Sequence, residues 1–332
     1  MNATRAIEFD DMQGLIRFAH GHLQESAFVL LRIRDSALAA RFLRELVVAD
    51  ASRASTPPKR ALQVAFTASG LVSMGVSDAI LRGFSEEFRG GMRGNPNRSS
   101  RLGDIGCNHP DHWRWGGTGD STPHMLLMLY APAGKLDEFM HSVLQDSSGN
   151  AFEPLATLIS RTNSAREPFG FVDGISQPTI DWQRAGDADR HVADNYSNLV
   201  APGEIVLGYP NEYGLYTSRP LLDAESLPAA RLLPHAEEKP HLHDLGRNGS
   251  YLVLRQLEQD VGGFWRFAHE AASADEERRE YLASAMVGRR RDGSPLVAMD
   301  ELHSARSQAA GPVSYTHLTL PTKCRKWRAR GG

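Results

Sequence analysis

The stretch PFGFVDGISQP, residues 168 to 178, holds one carboxylate, Asp173, among glycines, two aromatic rings and two prolines. A loop that only turns is more usually polar throughout, and this one is half apolar. The composition predicts partial burial and leaves two uses open for Asp173. It could transfer a proton, or it could cap its own turn, as Asp before Gly often does. Other candidates are weaker. Cys107, His109 and His112 in CNHPDHW have spacings a metal could use, but no partner pair is visible, and a solvated loop is the simpler reading. His235, His241 and His243 lie in a polar stretch with Glu and Pro, which reads as surface. No metal ligand is assigned. Phe264, Trp265 and Phe267 read as core rather than as an electron route.

The elements that must position these residues follow from periodicity. AFVLLRIR (27 to 34) is an apolar run of strand length, and Asp35 is placed to cap a helix on which Ala39, Phe42, Leu43 and Leu46 share a face. ALQVAFTAS (61 to 69) resumes a strand. HMLLMLYA (124 to 131), a helix through Leu136, Phe139, Met140, Val143 and Leu144, and FEPLATLIS (152 to 160) repeat the unit. Two β-α-β units in succession have the order of a ferredoxin-like α+β lobe over 27 to 160. The segment 70 to 123 reads as an insertion of helical turns and a Gly/Asn/Pro-rich surface excursion. GSYLVLRQLEQD (249 to 260) is predicted to be a strand, followed by two amphipathic helices.

At 332 residues the chain is long enough for two lobes. Its 41% hydrophobic and 23% charged residues are ordinary for a globular protein, and no apolar run approaches the ~20 residues that span a bilayer. The first twenty residues carry no secretory core or twin arginine, and there are two distant cysteines, Cys107 and Cys324. A cytoplasmic, reducing setting is therefore expected. A net charge of -3 offers no footprint for nucleic acid. The C-terminus differs: Lys323, Arg325, Lys326, Arg328 and Arg330 stand without an acid, so removing these five cations takes the balance from -3 to -8. VSYTHLTLPT (313 to 322), just before them, resembles a translated sequencing-library adapter. The native chain is expected to end near Pro312, with 313 to 332 a non-native tail.

Seven ordered blocks carry a further resemblance: AFTASGL (65 to 71), FSEEFRGGM (84 to 92), LGDIG (102 to 106), WRWGG (113 to 117), FGFVDGISQP (169 to 178), PGEIVLGYPNE (202 to 212) and NGSYLVLRQLEQDV (248 to 261). Together they resemble the dye-decolourising peroxidases over about Met12 to Ala298, and residues 170 to 174 fit that family's GxxDG motif. The resemblance implies tandem ferredoxin-like lobes, divided here into 1 to 165 and a partial haem-binding lobe at 166 to 312. It implies a haem b cofactor and the oxidation of dyes, phenols and similar one-electron donors by hydrogen peroxide. It suggests no nucleic-acid or membrane partner and is compatible with a homo-oligomer.

By the same resemblance Asp173 is the acid-base catalyst that moves a proton between the peroxide oxygens. Phe169, Phe171 and Ile175 would exclude water, and Gly170 and Gly174 would let the backbone approach the porphyrin. Gly170, Phe171, Gly174, Ile175, Ser176 and Gln177 are the expected cofactor contacts, and Arg255 on its strand either pairs with a haem propionate or faces outward from the sheet. The family's axial histidine and distal arginine lie in segments resembling AHIRR and RRG, downstream of MVGRRRDGSPLV (286 to 297), and neither segment is present. His303 lacks the flanking Ile-Arg-Arg, and His317 lies in the adapter-like run, so the iron ligand is carried onto neither. The chain is expected to be a truncated peroxidase, inactive by itself. The alternative is a non-catalytic binding or interaction protein that keeps the ferredoxin-like lobe.

Overall fold

The computed structural model describes residues 6–52, 57–117, 121–144, 150–161, 166–175, 177–184 and 199–296. The expected tail from Val313, His303 and Ser176 lie outside the described residues. The chain divides into two compact units, one of Met1–Asn163 with Pro178–Leu254 and one of Ser164–Gln177 with Arg255–Gly332.

The first unit contains the expected ferredoxin-like lobe. In chain order it has β1 (Glu25–Ile33), α1 (Ser36–Glu45), β2 (Ala61–Phe66), the insertion helices α2 (Ala68–Ser73), α3 (Asp78–Leu81), α4 (Glu86–Gly90) and α5 (Pro96–Leu102), then β3 (Met125–Ala131), α6 (Leu136–Leu144) and β4 (Phe152–Ser160). The sheet order is β2-β3-β1-β4 with every neighbour antiparallel. Alternation decides what each face buries. Ala27, Val29 and Leu31 of β1 and Leu127 and Leu129 of β3 meet Phe42 of α1 and Leu136 and Phe139 of α6 in the main core, while Leu30, Leu126 and Met128 point to the opposite face. Asp35 caps α1 by accepting from Ala37 N–H and Leu38 N–H, each at 2.9 Å. Pro154, which has no N–H to donate, sits on the edge strand where the register with β1 shifts.

Local chemistry trims the expected spans. β2 stops at Phe66 because the Thr67 side chain accepts from Gly70 N–H and opens α2. The glycine-rich excursion is helical at α5, where Asn95 is the cap and Pro96 fills the first turn. In the remainder of the unit, β5 (Thr179–Ile180) pairs with β6 (Leu199–Val200) and β7 (Leu221–Leu222) with β8 (His243–Asp244), and buried charges brace the segments around the second pair. Arg219 donates to Asp244 at 2.6 Å and Glu238 at 2.8 Å. Arg247 donates to Glu8 at 2.7 Å, and Asn248, at φ 63°, donates to Glu8 and Asp11 while accepting from Tyr209 Oη–H. The PGEIVLGYPNE and NGSY blocks therefore serve the frame: Tyr209 is fully buried beneath the Arg247 guanidinium, 4.7 Å from its ring centre.

Residues 251–260 do not form the expected strand. A strand persists only where a neighbour answers its N–H and C=O groups, and no described strand pairs with this stretch. Leu252, Val253 and Leu257 are exposed along it. The second unit contains α7 (Val261–Ala271), capped by Asp260, and α8 (Glu276–Val287), capped by Asp275. Its described residues hold no strand ladder, only the isolated bridges Arg166 to Val172 and Arg289 to Pro295. No described helix is long and apolar enough to cross a membrane.

Candidate active site

The loop that carries Asp173 is built around Glu167. Glu167 N–H donates to Phe171 C=O at 2.9 Å and Gly170 N–H donates to Glu167 C=O at 2.8 Å, which closes a tight turn. The Glu167 carboxylate accepts from Phe169 N–H and Phe171 N–H, each at 2.8 Å, and from the Gln259 side chain at 3.0 Å. Burial alone would raise its pKa, but the Phe171, Phe169, Gln259 and Gly170 donors outweigh that and hold it below the ordinary carboxyl value. Glu167 is thus an anion whose charge organises the backbone of the loop.

The apolar half of the loop turns toward α7 and α8. Phe171 is buried with its ring parallel to Trp265, centroids 6.3 Å apart, and Phe169 stacks on Phe264 at 4.5 Å. Ala268 and Ala283 complete the cluster, and Phe267 stays exposed. A second tight turn, 289–295, adjoins the first. Val172 N–H donates to Arg291 C=O at 3.2 Å, and Arg166 Nη1 donates to both Gly170 C=O and Arg291 C=O at 2.8 Å.

Asp173 is exposed, not partly buried as its apolar neighbours suggested, because those neighbours spend their surface on the helices and leave the acid outside. Its Oδ1 accepts from Gly174 N–H at 2.6 Å, so the turn-capping contact exists on an exposed carboxylate. Gly170 adopts φ 99°, and a Cβ there would lie 3.0 Å from Arg291 Nη1. In this structure, then, its missing side chain makes room for a guanidinium. Gly174 (φ 73°), Ile175 and Gln177 are exposed. Arg255 is half-buried on irregular backbone, not on a strand.

The other candidates lie in the first unit. His109 Nδ1 lies 3.2 Å from Asp111, Cys107 is exposed, and buried His243 engages Leu233 C=O through Nδ1 at 2.9 Å. Among the described residues no three His, Cys, Asp or Glu side chains gather to hold a metal. Sequence reasoning missed Glu167, Glu280 and Arg291. A Glu two and four residues ahead of amides in an aromatic-Gly-aromatic turn was the available signal for the first; nothing in GRRRDGSP marks which arginine turns inward.

No protein-family model matches the chain. Over 339 aligned residues it is 26% identical to a dye-decolorizing peroxidase of Exidia glandulosa, covering 96% of this chain and 59% of that protein. A dye-decolorizing peroxidase of Auricularia auricula-judae is 24% identical over 335 residues, 95% of this chain and 57% of the relative. The crystal structure of a decolorizing peroxidase from Auricularia auricula-judae matches 87% of this chain and 58% of its own with a TM-score of 0.62 at 25% identity. The chain is similar in sequence and in fold to dye-decolorizing peroxidases. It spans less than three-fifths of the length of the curated relatives it matches.

Dye-decolorizing peroxidases imply haem, and the described residues can be tested for that group. Asp173 offers an exposed carboxylate, one oxygen of which accepts from Gly174 N–H. Iron ligation is different: His269 is the one histidine among the described residues of the second unit, and its Nδ1 sits on α7 3.6 Å from Glu276. The described residues of the second unit thus offer an iron one half-exposed imidazole on α7 and no second histidine.

Proposed function

We propose that the chain is part of a haem-dependent peroxidase that oxidises dyes, phenols or similar organic donors with hydrogen peroxide. Asp173 would hold and move the proton: its carboxylate can take one from one peroxide oxygen and hand it to the other. The observation that supports this reading is the exposed carboxylate at the acid position of the GxxDG motif, on a turn that Glu167 fixes from within. Gly170, Phe171, Gly174, Ile175, Ser176, Gln177 and Arg255 stay with this reading as the residues toward the cofactor. Haem b, when bound, supplies the oxidising centre. The 332-residue chain alone is read as inactive, since His303 lacks the Ile-Arg-Arg that flanks the family's axial histidine in sequence. The low cysteine count supports a cytoplasmic setting.

The test uses two proteins. The chain purified with haem should show no histidine-type Soret band and no dye turnover; both together would overturn its inactivity. A chimera completed by the C-terminal part of the Auricularia relative should react with peroxide, and Asp173→Asn in that chimera should keep haem while slowing the peroxide step by about a hundredfold or more. An unchanged rate would reject Asp173 as the proton carrier.

A further inference from the structure

We infer that Arg291 and Glu280 act as positioning residues for Asp173, forming a clamp that sets where α7 and α8 hold the acid. The proposal rests on the reading of Asp173 as a proton carrier. The backbone of Arg291 receives the N–H of Val172, the residue immediately before the acid. Its side chain turns the other way: the guanidinium lies over the Trp265 ring, 4.1 Å from the centroid, and 5.9 Å from that of Phe171. There Glu280 on α8 takes it in a fork, Nε at 2.8 Å and Nη2 at 2.9 Å. One residue thus joins the acid loop through its main chain to a helix through its side chain. A planar guanidinium is suited to this, since it stacks on an indole and presents paired donors in one plane.

Two close approaches fix the fit on either side of Asp173. Gly170 leaves the space that Arg291 Nη1 needs, and Gly293, at φ 88°, sits where a Cβ would meet Ile175 Cδ1 at 2.2 Å. Arg166 then bridges the two turns through both carbonyls. The Arg291 and Glu280 side chains are each about 40% exposed, and an ion pair so open to water adds little to global stability. Breaking it should therefore move the loop rather than unfold the protein.

The experiment is hydrogen exchange on the 332-residue chain, resolved over residues 166–175, for the wild type, Glu280→Gln, Arg291→Leu and Arg291→Lys. Glu280→Gln and Arg291→Leu should lose about tenfold protection at the Val172 amide with the melting temperature nearly unchanged. Arg291→Lys, which keeps charge without the fork, should recover only part of it. Unchanged protection in both Glu280→Gln and Arg291→Leu overturns the clamp, and so does global unfolding of Arg291→Lys, which would make the residue merely structural. In the completed chimera, Glu280→Gln should slow the peroxide step and leave the donor KM alone; a loosened loop with an unaltered peroxide step overturns the positioning role. The Asp173→Asn chimera separates the two failures: if that variant also reacts normally, the proton-carrier reading has failed, and exchange alone still reports the clamp.

Discussion

Glu167 keeps its charge in a half-buried turn because three amides and one side-chain amide converge on it, and that has a pH consequence. A carboxyl whose folded pKa lies below its ordinary 4.5 contributes stability that is present above 4.5 and lost as pH falls through the folded value. Glu280, lowered first by its hydrogen bonds to Arg291 and then by Arg279 against an opposing burial effect, acts in the same direction. Protection at the Phe169 and Phe171 amides should hold steady from neutral pH to about 5 and fall below 4.5. Full protection a pH unit lower, measured by exchange, would contradict the role given to Glu167. Glu167→Ala should loosen the same amides at neutral pH, at a cost on the order of 1–2 kcal/mol. The GxxDG pattern at Asp173 could be read in the sequence because it is contiguous, although the exposure of the acid could not. Glu167, Glu280 and Arg291 were not, because their meaning lies in who donates to whom across three separate segments.

The helices and strands of the sheet lobe were readable for the opposite reason: each is specified by its own periodicity. β1, β3 and β4 fall within two residues of the expected spans, and Asp35 sits where a cap was expected. Replacing Asp35 with Ala should cost about 1 kcal/mol, whereas Phe42→Ala, which empties a fully buried site edge-on to Phe152, should cost roughly 3–5 kcal/mol. Chemical denaturation of the two variants checks that ratio, and similar costs would mean the core relaxes around position 42. The same method failed at 249–260, where alternation alone suggested a strand. Periodicity reports which side of a segment is apolar; it says nothing of whether a second strand is at hand, and here no described one is.

At the scale of the molecule, that failed strand leaves a liability. Leu252 (48% exposed), Val253 (67%) and Leu257 (70%) expose apolar side chains within six residues, a pattern that favours association between copies. Leu257→Lys should reduce light scattering of concentrated samples without shifting the melting temperature, and unchanged scattering would place the sticky surface elsewhere.

The second unit is also discontinuous, drawing its acid loop from one part of the chain and its helices from another. Arg166 and the Arg291 carbonyl it binds are 125 residues apart. A ribosome adding about 5–20 residues per second needs roughly 6–25 s to cover that interval. The four-stranded sheet is complete by Ser160 and can form as the nascent chain emerges. The loop of Asp173 follows it within a few residues and must then wait for Arg291, so it is made well before the residue that ties it to α8.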